Sequence, residues 1–193
     1  IFVDSPLATR TTEIYRLHSE VYDEDIREFL LSDDDSNPFG FGRLQYTQSV
    51  EQSKALNLLK VPAVIISSSG MMEGGRILHH LRSRIEDHRN TILITGWQAP
   101  NTLGRHIVDR DEVVRIFGEE FKVKAKIEIL TGFSGHADRS GLLDFVRNME
   151  KKPQQTFIVH GEAESSESLA QALRSEFGLD NVRIPASMQS FTL

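Results

Sequence analysis

Two histidines stand where an imidazole can do chemistry: Gly132-Phe133-Ser134-Gly135-His136-Ala137-Asp138 and Val159-His160-Gly161-Glu162. Each follows an apolar, β-rich run and precedes an amphipathic helical pattern. That places both at the carboxyl ends of strands, the edge on which open α/β sheets carry their sites. Imidazole titrates near neutral pH and, when neutral, is a common metal ligand. Ser134 and Gly135 leave the backbone open beside His136, which suits an acid or a hydrogen-bond donor. Asp138 is a candidate partner for that ring. His160 directly ends the strand Thr156–Val159 and can ligate a metal through one nitrogen while Glu162 orients the other. For each ring a purely structural role is the competing reading. A catalytic zinc needs about three protein ligands and an open position. The chain has no cysteine and no His-x-His or His-x-x-x-His cluster. His160 alone therefore holds no metal, and any further ligands must come from outside these 193 residues.

Two further strand-end loops carry polar chemistry. In Ser67–Arg76 a Ser/Gly-rich turn joins a strand to a helix, so backbone N–H groups, the hydroxyls of Ser68 and Ser69, the open backbone of Gly70 and the charge of Arg76 can hold an anion. It lacks the Gly-Lys-Ser/Thr ending of a Walker loop and the glycine spacing of a dinucleotide site. The alternative is a capped turn with Met71 and Met72 as core filler. In Gly96–Arg105, Arg105 can contact a phosphate and Trp97 can stack on a base. The alternatives are a surface ion pair and a core anchor. If the two preceding strands are parallel neighbours, the loops lie side by side. His18, His79, His80, His88 and His106 have no partner at ligand spacing and read as solvated or structural.

The elements that must position these groups begin with a strand at Ile1–Asp4. Ser5 then caps a helix with Pro6 at its first position, running to about Tyr22 with Leu7, Ile14, Leu17 and Val21 at helical spacing. A short helix carries Ile26, Phe29 and Leu30, and residues 32–38 form a solvated acidic loop. The pattern predicts a helix over 50–60 with Leu56, Leu58 and Leu59 inward, a buried strand over 61–66, a helix bearing Ile77, Leu78, Leu81 and Ile85, and a buried strand over 91–95. Phe121, Val123, Ala125, Ile127 and Ile129 alternate with polar residues, the signature of one half-exposed antiparallel strand. Its expected hairpin partner is 113–117. A helix carrying Leu142, Leu143, Val146 and Met149, a strand at 156–159, a helix carrying Leu169, Ala172, Leu173 and Phe177 and a strand at 182–184 complete the chain. Residues 1 to about 110 thus read as a βα-alternating layer and the rest as a mixed α/β unit.

The 193 residues allow one large domain or two small ones, with 39% hydrophobic and 26% charged content. No apolar run is long enough for a bilayer span and no signal-peptide pattern opens the chain. The opening Ile1-Phe2-Val3-Asp4 reads as mid-strand, so the expectation is a piece of a longer protein. Absence of cysteine is compatible with a cytoplasmic location. A net charge of −6 argues against broad nucleic-acid affinity while leaving room for a local cationic groove.

Asp4-Ser5-Pro6-Leu7-Ala8, Ser69-Gly70-Met71-Met72 with Gly74-Gly75-Arg76, Thr102-Leu103-Gly104-Arg105, the His136 segment and Val159-His160-Gly161-Glu162 occur in this order. Together they resemble the β-CASP nucleases, RNA-processing members of the metallo-β-lactamase superfamily related to RNase J and to the pre-mRNA 3′-end cleavage endonuclease. The resemblance implies an α/β fold: most of a β-CASP domain over 1–110, with a largely parallel sheet flanked by helices, then the returning carboxy-terminal segment of a metallo-β-lactamase αββα fold over 111–193. It implies that His136 sits by the scissile phosphate and that His160 is a zinc ligand. Ser68, Ser69, Gly70, Arg76, Arg105, Ser134 and Gly135 would face RNA, with Asp138 and Glu162 behind the two histidines. It further implies two zinc ions in a longer parent and none held by this piece alone. The implied activity is hydrolysis of single-stranded RNA by that parent, the piece itself being inactive. Expected partners are RNA, the missing amino-terminal metallo-β-lactamase domain and a second copy in a homodimer, with no membrane. A non-catalytic RNA-binding or assembly subunit of the same family is the alternative. Two departures stand out: Asn101 replaces the glycine expected before Thr102-Leu103-Gly104, and the ending Met188–Leu193 matches the usual terminal strands imperfectly.

Overall fold

The computed structural model describes residues 1–32, 38–40 and 42–191. The expected acidic loop at 32–38 falls mostly outside them. The chain divides into two compact units, Ile1–Phe133 and Ser134–Leu193.

The first unit starts with β1 (Phe2–Asp4) and α1 (Pro6–Leu17). The Ser5 hydroxyl accepts from the Ala8 N–H at 3.2 Å, satisfying a donor that the first turn leaves orphaned. The helix stops at Leu17, short of the expected Tyr22. The His18 N–H turns back to the Tyr15 carbonyl, and a 3₁₀ turn over Ser19–Val21 follows. Its apolar stripe (Leu7, Ile14, Leu17, Val21) is exposed. After α2 (Glu24–Ser32) and β2 (Gln45–Tyr46) comes α3 (Val50–Leu56), closed by a Ser49/Gln52 capping box. It ends four residues before the expected Lys60, so Leu56 is buried while Leu58 is exposed. The expected buried strand 61–66 is β3 (Ile65–Ser67) alone, with Val61, Val64 and Ile66 exposed. The sheet order is β2-β1-β3, all parallel, so β3 is an edge strand paired on one side only.

Next come α4 (Ile77–Arg84), β4 (Thr91–Ile94), α5 (Leu103–Val108), β5 (Val113–Ile116), β6 (Glu119–Lys122) and β7 (Lys126–Ile129). The hairpin expectation holds: β5 and β6 pair antiparallel. The alternating run, however, is two strands. After β6 the Val123 N–H turns to the Glu112 carbonyl, and the Lys124 and Ala125 N–H groups both reach the Ile85 carbonyl at the end of α4. The chain leaves one sheet there and enters another, where β7 pairs parallel with β4. Period-two patterning reports alternation of faces and is blind to such a change of partner. Ile85, Ile94, Ile107, Ile116 and Ile127 center the core of this unit.

The second unit holds α6 (Arg139–Arg147), β8 (Thr156–Phe157), α7 (Ala163–Phe177) and β9 (Val182–Arg183). β8 and β9 pair parallel. Leu143, Ala170, Leu173 and Val182 pack its core. Gly178, at φ 65°, closes α7 with N–H bonds back into the last turn, the left-handed cap for which glycine is suited. The fold is α/β with mostly parallel pairing, drawn as several small sheets among the described residues.

Candidate functional site

The two loops of the first unit are zipped together although β3 and β4 belong to different sheets. The Gln98 side-chain amide donates to the Gly70 carbonyl at 3.0 Å and to the Gly96 carbonyl at 3.1 Å. The Gly104 N–H donates to the Met71 carbonyl, and the Glu73 carboxylate accepts from the Leu103 N–H at 2.6 Å. A Cβ at Gly104 would lie 1.7 Å from Gln98 Oε1, so a side chain there would have to displace the Gln98 amide that joins the loops. Asn101 has φ 64°, a left-handed conformation that glycine adopts freely and asparagine tolerates best among the rest. The departure from the family's glycine therefore preserves the turn.

Within the first loop, Ser69 N–H bonds the Gly74 carbonyl and Ile77 N–H bonds the Ser68 carbonyl. Gly75, at φ 81°, lets that carbonyl approach: a Cβ would sit 2.5 Å from it. Met72 is buried as core filler, whereas Met71 and Gly70 face solvent. Ser68 Oγ lies 3.0 Å from Ser5 Oγ. Arg76 does not face outward. Its Nη1 donates to Asp4 Oδ1 at 2.7 Å, so the charge expected to meet a phosphate meets a buried carboxylate. Arg105 pairs through Nε with Asp109, the C-cap of α5. Trp97 is 61% exposed, which removes the core-anchor alternative.

Asp4 organises a cluster that sequence reasoning missed. It is fully buried, and its carboxylate also accepts from Thr47 Oγ1, from Ser53 Oγ at 2.6 Å and from His80 Nε2 at 2.7 Å. His80 Nδ1 lies 2.7 Å from Asn57 Oδ1. Burial pushes the Asp4 carboxyl up, but the bonds from Ser53, Thr47, His80 and Arg76 outweigh it and hold its pKa at about 2. A buried carboxylate survives only when its lone pairs are met in this way. The one sequence signal was an aspartate ending an apolar strand.

In the second unit both candidate rings face water. Residues 131–140 are exposed throughout, and the His136 N–H donates to Ser134 Oγ at 3.2 Å, curling the segment into a turn beside Gly135. Asp138 is the N-cap of α6, accepting from the Gly141 N–H at 2.8 Å and from Ser140 Oγ, and those bonds lower its pKa. Its carboxylate thus serves the helix. β8 stops at Phe157 rather than at the expected Val159, so His160 lies three positions beyond it, with φ 68°, a conformation that strains a residue bearing a Cβ. A Cβ at Gly161 would lie 2.4 Å from Ser166 Oγ, so a side chain there would have to turn the buried Ser166 hydroxyl aside. Glu162 is the N-cap residue of α7, and its carbonyl accepts from the Ser166 N–H at 2.9 Å. No group of three or more metal-binding side chains is gathered among the described residues. An exposed imidazole on a constrained backbone suits a single ligand and no more.

The arrangement is an α/β scaffold with polar groups gathered on loops after strands. Residues 1–107 match the Beta-Casp domain, and residues 120–185 match the Zn-dependent metallo-hydrolase RNA specificity domain. The chain belongs to the β-CASP family of the metallo-β-lactamase superfamily. It is 38% identical to Ribonuclease TTHA0252 of Thermus thermophilus over 173 residues, 90% of this chain and 39% of that protein. To the Transcription termination factor FttA of Methanosarcina mazei it is 30% identical, covering 88% of this chain and 27% of that protein. To the same factor from Thermococcus kodakarensis it is 28% identical, covering all of this chain and 30% of that protein. The chain spans about two fifths or less of these relatives' lengths.

Proposed function

We propose that this chain is the carboxy-terminal portion of a zinc-dependent ribonuclease that hydrolyses phosphodiester bonds in single-stranded RNA. In this reading residues 1–110 form most of the β-CASP domain and 111–193 close the metallo-β-lactamase domain, a division the two matched ranges support. The carrying observation is that His136 and His160 are both solvent-exposed at junctions into helices, inside the stretch similar to a Zn-dependent RNA specificity domain. His160 supplies one zinc ligand, and the remaining ligands come from residues outside this chain. Zinc, when bound, supplies activated water and charge neutralisation at phosphorus. His136 donates a hydrogen bond to a phosphoryl or leaving oxygen, with Ser134 and Gly135 keeping the approach open. Ser68, Ser69, Gly70 and Arg105 contact RNA phosphates. Arg76, spent on Asp4, holds the loop in place. The piece alone is inactive, and the cytoplasm is the proposed location.

The test is cleavage of a labelled single-stranded RNA by the longer protein, with and without a zinc chelator. Zinc-dependent cleavage is expected there and none from residues 1–193. A second reading, a non-catalytic RNA-binding subunit, draws on the relatives named as transcription termination factors. RNA binding by the zinc-loaded longer protein without any cleavage would favour it.

A further inference from the structure

We propose that Trp97 is a stacking platform for one base of single-stranded RNA. This rests on the reading that the protein binds RNA. The indole is 61% exposed and has no aromatic or cationic partner among the described residues. Its exposure does not come from a loose loop. Gln98, only 5% exposed, ties the carbonyl before Trp97 to that of Gly70, and the Thr102 hydroxyl closes the following turn onto the Ala99 carbonyl at 2.7 Å. The exposed residues next to it in the chain, Thr95, Gly96, Pro100 and Asn101, are small or polar. Charge leads the same way. With a net charge of −6, phosphate attraction is a weak source of affinity, whereas a π-face gains from any base regardless of charge.

Trp97 is the chain's single tryptophan, so its emission reports on this ring alone. Residues 1–193 are titrated with oligoadenylate, oligouridylate and inorganic polyphosphate, with anisotropy of a labelled oligonucleotide followed in parallel. Quenching by the oligonucleotides, stronger for adenine, at the midpoint given by anisotropy and with no response to polyphosphate, is expected. Trp97→Ala weakens binding roughly 5- to 100-fold, and Trp97→Phe restores most of it. Oligonucleotide binding with unchanged emission, or with Trp97→Ala within twofold of the parent, overturns the proposal. So does an emission change that tracks protein concentration without RNA, which would mark a face for a second copy. Absence of RNA binding by both readouts removes the RNA reading and the platform with it. That result differs visibly from binding without quenching.

Discussion

Replacing Asp4 with asparagine removes one charge and almost no volume from the buried cluster of the first unit. Four donors converge on that carboxylate from three segments remote in sequence, and it is inaccessible to water. Asparagine keeps one acceptor oxygen but turns an amide toward donors, leaving the mostly buried Arg76 guanidinium without its counter-charge. A surface pair would cost about 0–1 kcal/mol, whereas breaking a buried pair costs roughly 3–5 kcal/mol. The geometry belongs to the second case, so Asp4→Asn should lose about 3 kcal/mol. For a unit of this size that is about 10 °C in melting temperature. The sign of the pH dependence follows from the depressed carboxyl. Its pKa falls from 3.8 to about 2, so its stabilisation is complete above about pH 4 and is lost as the pH drops toward 2. That difference is worth about 2 kcal/mol. Thermal unfolding followed by circular dichroism from pH 7 to pH 2.5 should show a large deficit in the variant that shrinks below pH 4. A melting temperature within a degree of the parent at pH 7, or a deficit independent of pH, would refute the reasoning.

The zipped loops give two more expectations. Gly104→Ala should destabilise by about 1–3 kcal/mol in urea unfolding, because Gln98 cannot swing aside without dropping its bonds to Gly70 and Gly96. Adding Gln98→Ala should recover part of that loss. Asn101→Val should cost about 1–2 kcal/mol at φ 64°, and Asn101→Gly should be neutral or mildly stabilising by the same measurement. His160→Gly should likewise leave the thermal stability of the second unit unchanged or raise it by less than about 1 kcal/mol, since φ 68° suits glycine.

Local chemistry was legible in the sequence wherever it is settled within a few residues. The Ser5 cap with Pro6, the Asp138 segment opening a helix, the periodic faces of α4 and α7, and the loops after strands all follow from spacing. Partnerships across long separations were not legible. Arg76 reads as a free cation because its carboxylate lies 72 positions away. The run from Phe121 to Ile129 reads as one strand because alternation is preserved while the hydrogen-bonding partner changes from β5 to β4. The stripe on α1 reads as a buried face because periodicity says which side is apolar, not what covers it. Of the candidate site, the exposure of His136 follows from its glycine and serine neighbours, whereas Asp138 is engaged in the helix cap and Arg76 in the Asp4 cluster.

The most direct test of the central claim is zinc content and RNA cleavage measured together on the longer protein carrying His160→Ala or His136→Ala. The account predicts less zinc per chain and no cleavage for the first, and full zinc with cleavage lost for the second. Full zinc and undiminished cleavage in His160→Ala would contradict it.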